Sequence, residues 1–420
     1  MSLRHAYVAG RLAGWRRPVR RAEIAPLAAS TAEPGISVVI PSREGKALLE
    51  AQLSGIAADM AGIPGEIIVV DNGSGDGTGE WLRGAWPQVL VEVSPEPLSF
   101  AAAVNRGIRR AGFSHVCLLN NDMRIEPGFF AALLKAFQTV PNLFCATAQI
   151  RFPAGARREE TGKAVMAQAA PGDFPIRCDE PLTGEDGTWV LYGSGGCSAY
   201  DAAKLAALGG VDEAYAPAYV EDLDLGYRAW LRGWPTVYVA GAVVEHRHRA
   251  TTSRFYSEQE LAAMLEINYL KFLARAVASP PLFRRLWRQE LNRLRLRAPS
   301  DAAARAALES AARIAREGGP APGPMEREEP LLALTDGSVA CFPGRAASSK
   351  APVVIAARQL DQVPAPDDDD GDAVLLVLVE QLQQPPAEWL ARFTEIVEAL
   401  TDEAFDEAAA WIARKWRLGS

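Results

Sequence analysis

The chain has 420 residues, 49% hydrophobic and 23% charged, the balance of an ordinary soluble globular protein with room for two domains. A formal net charge of -8 argues against general nucleic-acid binding. Five cysteines without CxxC spacing (Cys117, Cys145, Cys178, Cys197, Cys341) argue against a zinc site or a disulfide framework and fit a reducing compartment.

Residues 1–34 are rich in Arg and Ala, with Arg11, Arg16, Arg17, Arg20 and Arg21 ahead of Pro26 and Pro34, and read as a basic leader or short helix. The organised part opens with the apolar run Ile36–Ile40, stopped by Pro41, which predicts a buried strand. A helical period over 46–59 follows, then a second strand at Glu66–Asp71. The turn Asn72–Thr78 opens a helix through Trp81 and Leu82. Strand Val89–Val93, helix 99–111, strand His115–Asn120, helix 127–138 and strand Leu143–Ile150 complete the first half. This alternation predicts an α/β domain with a mostly parallel sheet, in which ligands sit beyond the carboxyl ends of the strands. Asp71 and Asp122 both fall at such ends.

Residues 151–190 are polar and irregular, like an insertion or lid. Gly193–Tyr200 leads toward a helix, Thr236–Ala240 reads as a strand, and Val243–His246 closes the domain. Residues 258–275 are helical. Residues 281–298 form a basic amphipathic helix with Leu282, Phe283, Leu286, Trp287, Leu291 and Leu294 on one side and six arginines elsewhere. That helix either lies on an anionic membrane surface or packs on the α/β domain with an arginine rim. Beyond about 316 come weak strand signals, a strand at Val374–Val379 and a helix over 387–416. No apolar run reaches the roughly 18 residues of a membrane span, and the N-terminus lacks the long apolar stretch of a signal peptide. The expected location is the cytoplasm, with peripheral contact on the inner face of the membrane as an option.

Two acidic stretches carry chemistry. Tyr219–Arg228 places Glu221, Asp222 and Asp224 in an otherwise apolar segment, where carboxylates are costly unless paired, protonated or functional. Leu118–Asp122 ends an apolar run with Asn120, Asn121 and Asp122. Its oxygen ligands suit Mg2+ or Mn2+, although Asn and Asp also form ordinary turns. Together the two stretches suggest a metal-bound diphosphate on one side of a cleft and a general base on the other. Asp224 and Arg228, four residues apart, read equally as a helix ion pair.

The ordered set Ser37–Pro41, Val69–Thr78 (with Asp71-Asn72), Leu118–Asp122, Gly209–Glu213, Glu221–Arg228 and Val244–His246 resembles the inverting glycosyltransferases of family-2 type with the GT-A fold, particularly the rhamnosyltransferase-like branch. The resemblance covers about residues 36–275. It implies a GT-A (Rossmann-like) domain over 35–275, a mostly parallel sheet flanked by helices; beyond it the sequence pattern reads as an amphipathic helical extension and linker over 276–325 and a small accessory or remnant C-terminal α/β region over 326–420. The resemblance further implies a nucleoside diphosphate sugar donor, a glycan or lipid-linked acceptor and a divalent cation. By the same resemblance Asp222 is the general base, with Glu221 beside it. Pro41, Ser42, Asp71, Asn72, Asn105, Asn120 and Asn121 line the donor site, Asp122 and His246 hold the metal, and Gly195, Gly196, Asp224 and Arg228 shape the acceptor site. The chain departs from the pattern at Pro41-Ser42-Arg43-Glu44-Gly45, where relatives carry Thr-Tyr-Asn. Rhamnose from dTDP-rhamnose is the first expectation for the donor, UDP-linked hexoses or N-acetylhexosamines the second. A non-catalytic sugar-nucleotide or glycan-binding module is the reading from another class, and the presence of both Asp122 and Asp222 argues against it.

Overall fold

A computed structural model describes residues 2–15, 17–18, 26–27, 32–151, 153, 163–165, 172–179, 187–246, 254–277, 280–318, 353–357, 373–378 and 395–399. Apolar runs buried on both faces set its centre, as expected for parallel strands covered on each side. β1 (Glu33–Ser42), β2 (Gly65–Asn72), β3 (Leu90–Ser94) and β4 (Phe113–Leu119) are mutually parallel, with β1 between β2 and β4. Side chains alternate across the sheet. Val38 and Ile40 face a core shared with α2 (Lys46–Asp59) and α5 (Phe129–Thr139), whereas Val39 faces one shared with α4 (Phe100–Arg110). α3 (Thr78–Ala85) joins β2 to β3. The α/β architecture expected of the sequence, a mostly parallel sheet flanked by helices, is present.

The second half of the sheet differs in detail from the expectation. β6 (Cys145–Arg151) runs parallel to β11 (Thr236–His246). Cys197–Asp201 is a strand, β10, antiparallel to both β4 and β6, and only then does α6 (Ala202–Ala207) begin. β11 is one strand whose register slips between Val239 and Val243, where the sequence suggests two separate segments. The short β5 (Met123–Ile125) pairs antiparallel with the end of β11, matching His246 to Met123. The strand order is β3-β2-β1-β4-β10-β6-β11-β5, with β9 (Thr188–Val190) also on β11. The hairpin of β7 (Lys163–Val165) and β8 (Arg177–Asp179) falls in the expected insertion. Toward the C-terminus β12 (Val353–Ala357), β13 (Ala373–Leu378) and β14 (Glu395–Ala399) form a parallel sheet. Residues 395–399 are thus a strand inside the range expected to be helical; the rest of that range lies outside the described residues.

A helical module completes the fold. α1 (Leu3–Trp15), α8 (Glu258–Ala276), α9 (Pro280–Arg297) and α10 (Ala302–Glu317) share one apolar core with α7 (Glu221–Leu231). The N-terminal segment read as a leader supplies α1, which packs against α10 and α9. The close approach depends on small residues: a Cβ on Gly14 would lie 2.3 Å from the Trp287 indole, whose Nε1 donates to the Gly10 carbonyl at 3.0 Å.

The structure corrects the membrane reading of α9. Phe283, Leu286, Trp287, Leu291 and Leu294 are all buried in the module, so this stripe is not free to lie on a lipid surface. The side chain of Leu282 lies outside the described residues. The arginine rim is also incomplete. Arg284, Arg288 and Arg295 are exposed, but Arg293 is 1% exposed and bonds Glu290 at 2.6 and 2.8 Å and both carboxylate oxygens of Glu266. Among the described residues no helix is long and apolar enough to cross a membrane.

Removing one member of a buried ion cluster strands the others in low dielectric. Arg293→Met is expected to lower the unfolding free energy by about 3–5 kcal/mol in denaturant titration; a loss below about 1 kcal/mol would show that the cluster is solvated.

Candidate functional site

The strand order brings the sequence's acidic stretches to one edge of the sheet. In register, Ser42 at the end of β1 stands beside Asp71 of β2, and Asp71 beside Val93 of β3. Asn120, Asn121 and Asp122 follow the end of β4. Because β10 is antiparallel to β4, Cys197 pairs with Leu119, and the preceding residues 194–196 lie at this same edge.

The 120–123 turn is fixed from two sides. The Asn120 amide donates to the Gly196 carbonyl at 2.8 Å. Gln52, buried on α2, donates its Nε2 to the carbonyls of Asn120 and Met123 at 2.7 and 2.6 Å. Gln52 is absent from the sequence-based site. Its signal was there, since it is a polar residue on the apolar face Leu49–Leu53–Ile56. Asn121 donates to Ser42 Oγ at 2.9 Å, both side chains buried, tying the ends of β1 and β4 together. Pro41 precedes this pair and is partly buried.

Asp122 and His246, far apart in sequence, meet here. Asp122 Oδ1 lies 3.4 Å from His246 Nε2, and the two side chains are 8% and 10% exposed. Oδ1 has no hydrogen-bond partner although buried. Among the described residues no third His, Cys, Asp or Glu joins them. A buried carboxylate oxygen without a donor, beside an imidazole, fits a hard cation that takes one or two protein ligands and completes its shell with phosphate and water. The residues present therefore fit the expected divalent cation.

The turn after β2 is held by several hydrogen bonds. Asp71 is buried, and its Oδ1 accepts from the Ser74 amide at 3.3 Å. A Cβ on Gly79 would come within 2.7 Å of Asp71 Oδ2, so the helix that starts at Thr78 reaches the carboxylate only because Gly stands there. Glu44 Oε1 accepts from the Gly75 amide at 2.7 Å, and Asp76 Oδ2 from the Lys46 amide at 3.1 Å, fastening this turn to the end of β1. The Arg43 guanidinium lies 3.7 Å from the centre of the Phe255 ring.

Two residues expected on the donor are committed elsewhere. Asn72 accepts from the Leu98 amide at 2.6 Å and donates to the Leu98 carbonyl at 3.1 Å. Asn105 accepts from the Val211 amide at 2.9 Å and donates to the Val211 carbonyl and Glu213. Both amides brace walls.

The other acidic stretch begins α7. Val220, its N-cap, and Tyr219 before it both have φ of 76°, so the chain enters the helix through two non-glycine residues in the left-handed region. Glu221, Asp222 and Asp224 occupy the first turn, where backbone amides point outward and favour negative charge. Asp222 is partly exposed. Its Oδ2 accepts from the Gly195 amide at 3.3 Å and its Oδ1 from the Leu223 amide at 2.9 Å. Burial nevertheless raises its carboxyl above the usual range, against those two bonds. Glu221 is buried, its Oε2 has no partner, and burial followed by the charge of Asp222 lifts it to about 8.

Asp224 and Arg228 behave as the ion pair that their spacing allows, and not as an acceptor surface. Arg228 Nε donates to Asp224 at 2.6 Å, its other nitrogens donate to the Leu208 and Gly210 carbonyls, and Tyr215 donates to Asp224 at 3.0 Å. With Asp224 2% exposed, this set holds α7 to the preceding loop. Gly195 and Gly196, expected at the acceptor site, lie between the two acidic stretches, Gly195 partly exposed and Gly196 buried. One bonds Asp222 and the other Asn120, and a Cβ on Gly196 would lie 2.5 Å from Asn120 Nδ2.

The model of the family described as "Glycosyltransferase like family 2" matches residues 34–264, which is more than half of the chain. The chain belongs to this glycosyltransferase family. A relative in Mycobacterium tuberculosis, N-acetylglucosaminyl-diphospho-decaprenol L-rhamnosyltransferase, is 31% identical over 237 residues, covering 50% of this chain and 75% of the relative. Among solved structures, the mannosyltransferase PcManGT from Pyrobaculum calidifontis, in complex with GDP-Man and Mn2+, is similar at a TM-score of 0.44 and 19% identity. That likeness covers 74% of this chain and 85% of the other. The family match spans both acidic stretches of the glycosyltransferase domain and stops within α8.

The unfolded chain releases the Glu221 proton near 4.5, whereas the native chain holds it to about 8. Between those values the native state binds more protons, so this residue's contribution makes stability fall as pH rises. Glu221→Gln is therefore expected to melt higher than the parent at about pH 8.5 and to lose most of that advantage at about pH 5.5, a change of about 3 °C or more by calorimetry. An offset that does not vary with pH would contradict the assignment.

Proposed function

We propose that the protein transfers a sugar, with inversion, from a nucleoside diphosphate sugar to a glycan or lipid-linked acceptor of cell-surface polysaccharide synthesis. The donor is dTDP-rhamnose, and the acceptor is a lipid-linked diphosphate sugar ending in N-acetylglucosamine. Membership of the family supports the reaction class, and the named activity of the mycobacterial relative supports rhamnose as the sugar and a lipid-linked N-acetylglucosaminyl diphosphate as the acceptor.

One observation carries the mechanism. Asp222, partly exposed, is held by two backbone amides across the Gly195–Gly196 turn from Asn120, which adjoins Asp122 in the same β4 loop. In this reading Asp222 accepts the proton of the acceptor hydroxyl as its oxygen attacks the anomeric carbon. Burial raises the Asp222 carboxyl above the usual range, which makes its ionised form a stronger base than an ordinary carboxylate. Glu221, raised to about 8 by burial and by the charge of Asp222, places no further negative charge directly beside the base at neutral pH. Ser42, Asp71, Asn120 and Asn121 line the donor side, and Asp122 with His246 would hold the divalent cation, Mn2+ or Mg2+. When bound, that cation offsets the charge gathering on the leaving diphosphate. Inversion takes a single displacement, so no side chain need form a covalent bond to the sugar.

Asp222→Asn is expected to lower kcat for rhamnosyl transfer by about 10²–10⁴-fold while leaving dTDP-rhamnose binding within a few fold. Transfer at the parental rate would remove Asp222 as the base. In thermal shift with dTDP-rhamnose, Mn2+ is expected to add stabilisation of about 2.7 kcal/mol at a hundredfold excess over Kd. Asp122→Ala should abolish that metal-dependent part, and an unchanged shift would place the cation elsewhere.

A further inference from the structure

One face of α8 carries an unusual row of donors. Arg275 donates to Asp212 at 2.6 Å, and Lys271 donates to the Ala214 carbonyl at 3.0 Å. Asn268 Nδ2 stands within 2.7, 2.8 and 3.1 Å of the carbonyls of Tyr215, Ala218 and Tyr219. The spacing of three and four residues keeps all three side chains on one side of the helix. They follow, in reverse order, the segment that leads from Asp212 into α7. All three lie beyond residue 264, where the family match ends.

The segment they hold is the one that aims the proposed base. Its opposite side is fastened to the donor half of the cleft: the Phe100 amide donates to the Pro217 carbonyl at 3.0 Å, and Asn105 bonds Val211 and Glu213. Tyr219 and Val220, which end it, sit at φ of 76°, a region that aromatic and β-branched residues enter only when neighbouring structure imposes it. Asn268 is the side chain that bonds the carbonyls of Ala218 and Tyr219, and it is 2% exposed. An amide has two hydrogens, so it serves these three acceptors only while the turn keeps its shape.

We infer that Asn268 is a positioning residue of the transferase. Anchored in the helical module, it sets the Tyr215–Val220 turn and with it the direction in which α7 presents Asp222. On this account Asn268 is the point at which α8 acts on the site, whereas the Arg293–Glu290–Glu266 cluster holds the helices together away from that turn. The inference rests on the reading of Asp222 as the base, but its structural half stands apart from it.

The test uses the full chain with Asn268→Leu, and with Asn268→Asp, which keeps the volume and removes the donor, should the first not fold. Arg293→Met serves as a comparison that weakens the same module away from the turn. Amide hydrogen exchange without ligand is expected to accelerate in residues 212–224 of the Asn268 variants while β1–β4 stay protected. With dTDP-rhamnose and a lipid-linked N-acetylglucosaminyl diphosphate, kcat should fall by about a hundredfold at nearly unchanged donor KM, as for a misplaced base. Arg293→Met, assayed below its melting temperature, should keep its kcat. Unchanged exchange in 212–224, or parental kcat with only a lower melting temperature, would overturn the inference. Asp222→Asn in the same assay separates the two claims: parental transfer by that variant, or none by the parent protein, removes the functional reading while the exchange data still decide the turn.

Discussion

The site depends on a short piece of backbone, Ser194–Gly196, wedged between β4 and α7. Its Gly196 carbonyl receives the Asn120 amide, and its Gly195 amide reaches Asp222. One turn therefore sets where Asp122, the proposed cation ligand, and Asp222, the proposed base, stand relative to each other. Side chains would spoil the fit. A Cβ at Gly193 would lie 2.4 Å from Cys145 Sγ, and one at Gly196 2.5 Å from Asn120 Nδ2. The antiparallel strand β10 exists, on this view, to deliver that turn to the carboxyl edge of a mostly parallel sheet.

Around the turn, opposing electrostatic effects are balanced residue by residue. Burial raises Glu221, Asp222 and Asp224, while the start of a helix favours their ionised forms. The three resolve the conflict differently. Asp224 has Arg228 and Tyr215, Asp222 has two backbone amides and is partly exposed, and Glu221 has an oxygen with no partner and a pKa lifted to about 8. Adjacent carboxylates in one turn thus acquire distinct jobs from their partners alone.

Much of this was legible in the sequence. Continuous apolar runs identify β1, β2 and β4 because strands buried on both faces leave no other pattern. The pairing of Asp122 with His246 and the prominence of Asp222 followed from the ordered motifs. Other features carry no such signal. An amphipathic helix has the same pattern whether its apolar stripe meets lipid or protein, so the burial of α9 needed α1 and α10 to be placed. Asn72, Asn105, Asp224 and Arg228 look like ligand-binding residues by type, but whether a side chain faces a cleft or bonds its own backbone is decided in three dimensions. β10 was hidden because a short strand after glycines, paired only with distant segments, has no local periodicity. Asn268 and Gln52 share one faint mark, an amide on a buried helical face.

The central claim is that one carboxylate, Asp222, drives a single displacement at the anomeric carbon. The most direct measurement is the anomeric configuration of the first product, followed by proton NMR during turnover of dTDP-rhamnose with the lipid-linked acceptor. The account predicts a glycoside of configuration opposite to that of the donor from the earliest time point. A product that retains the donor's configuration would require two successive displacements and would contradict it.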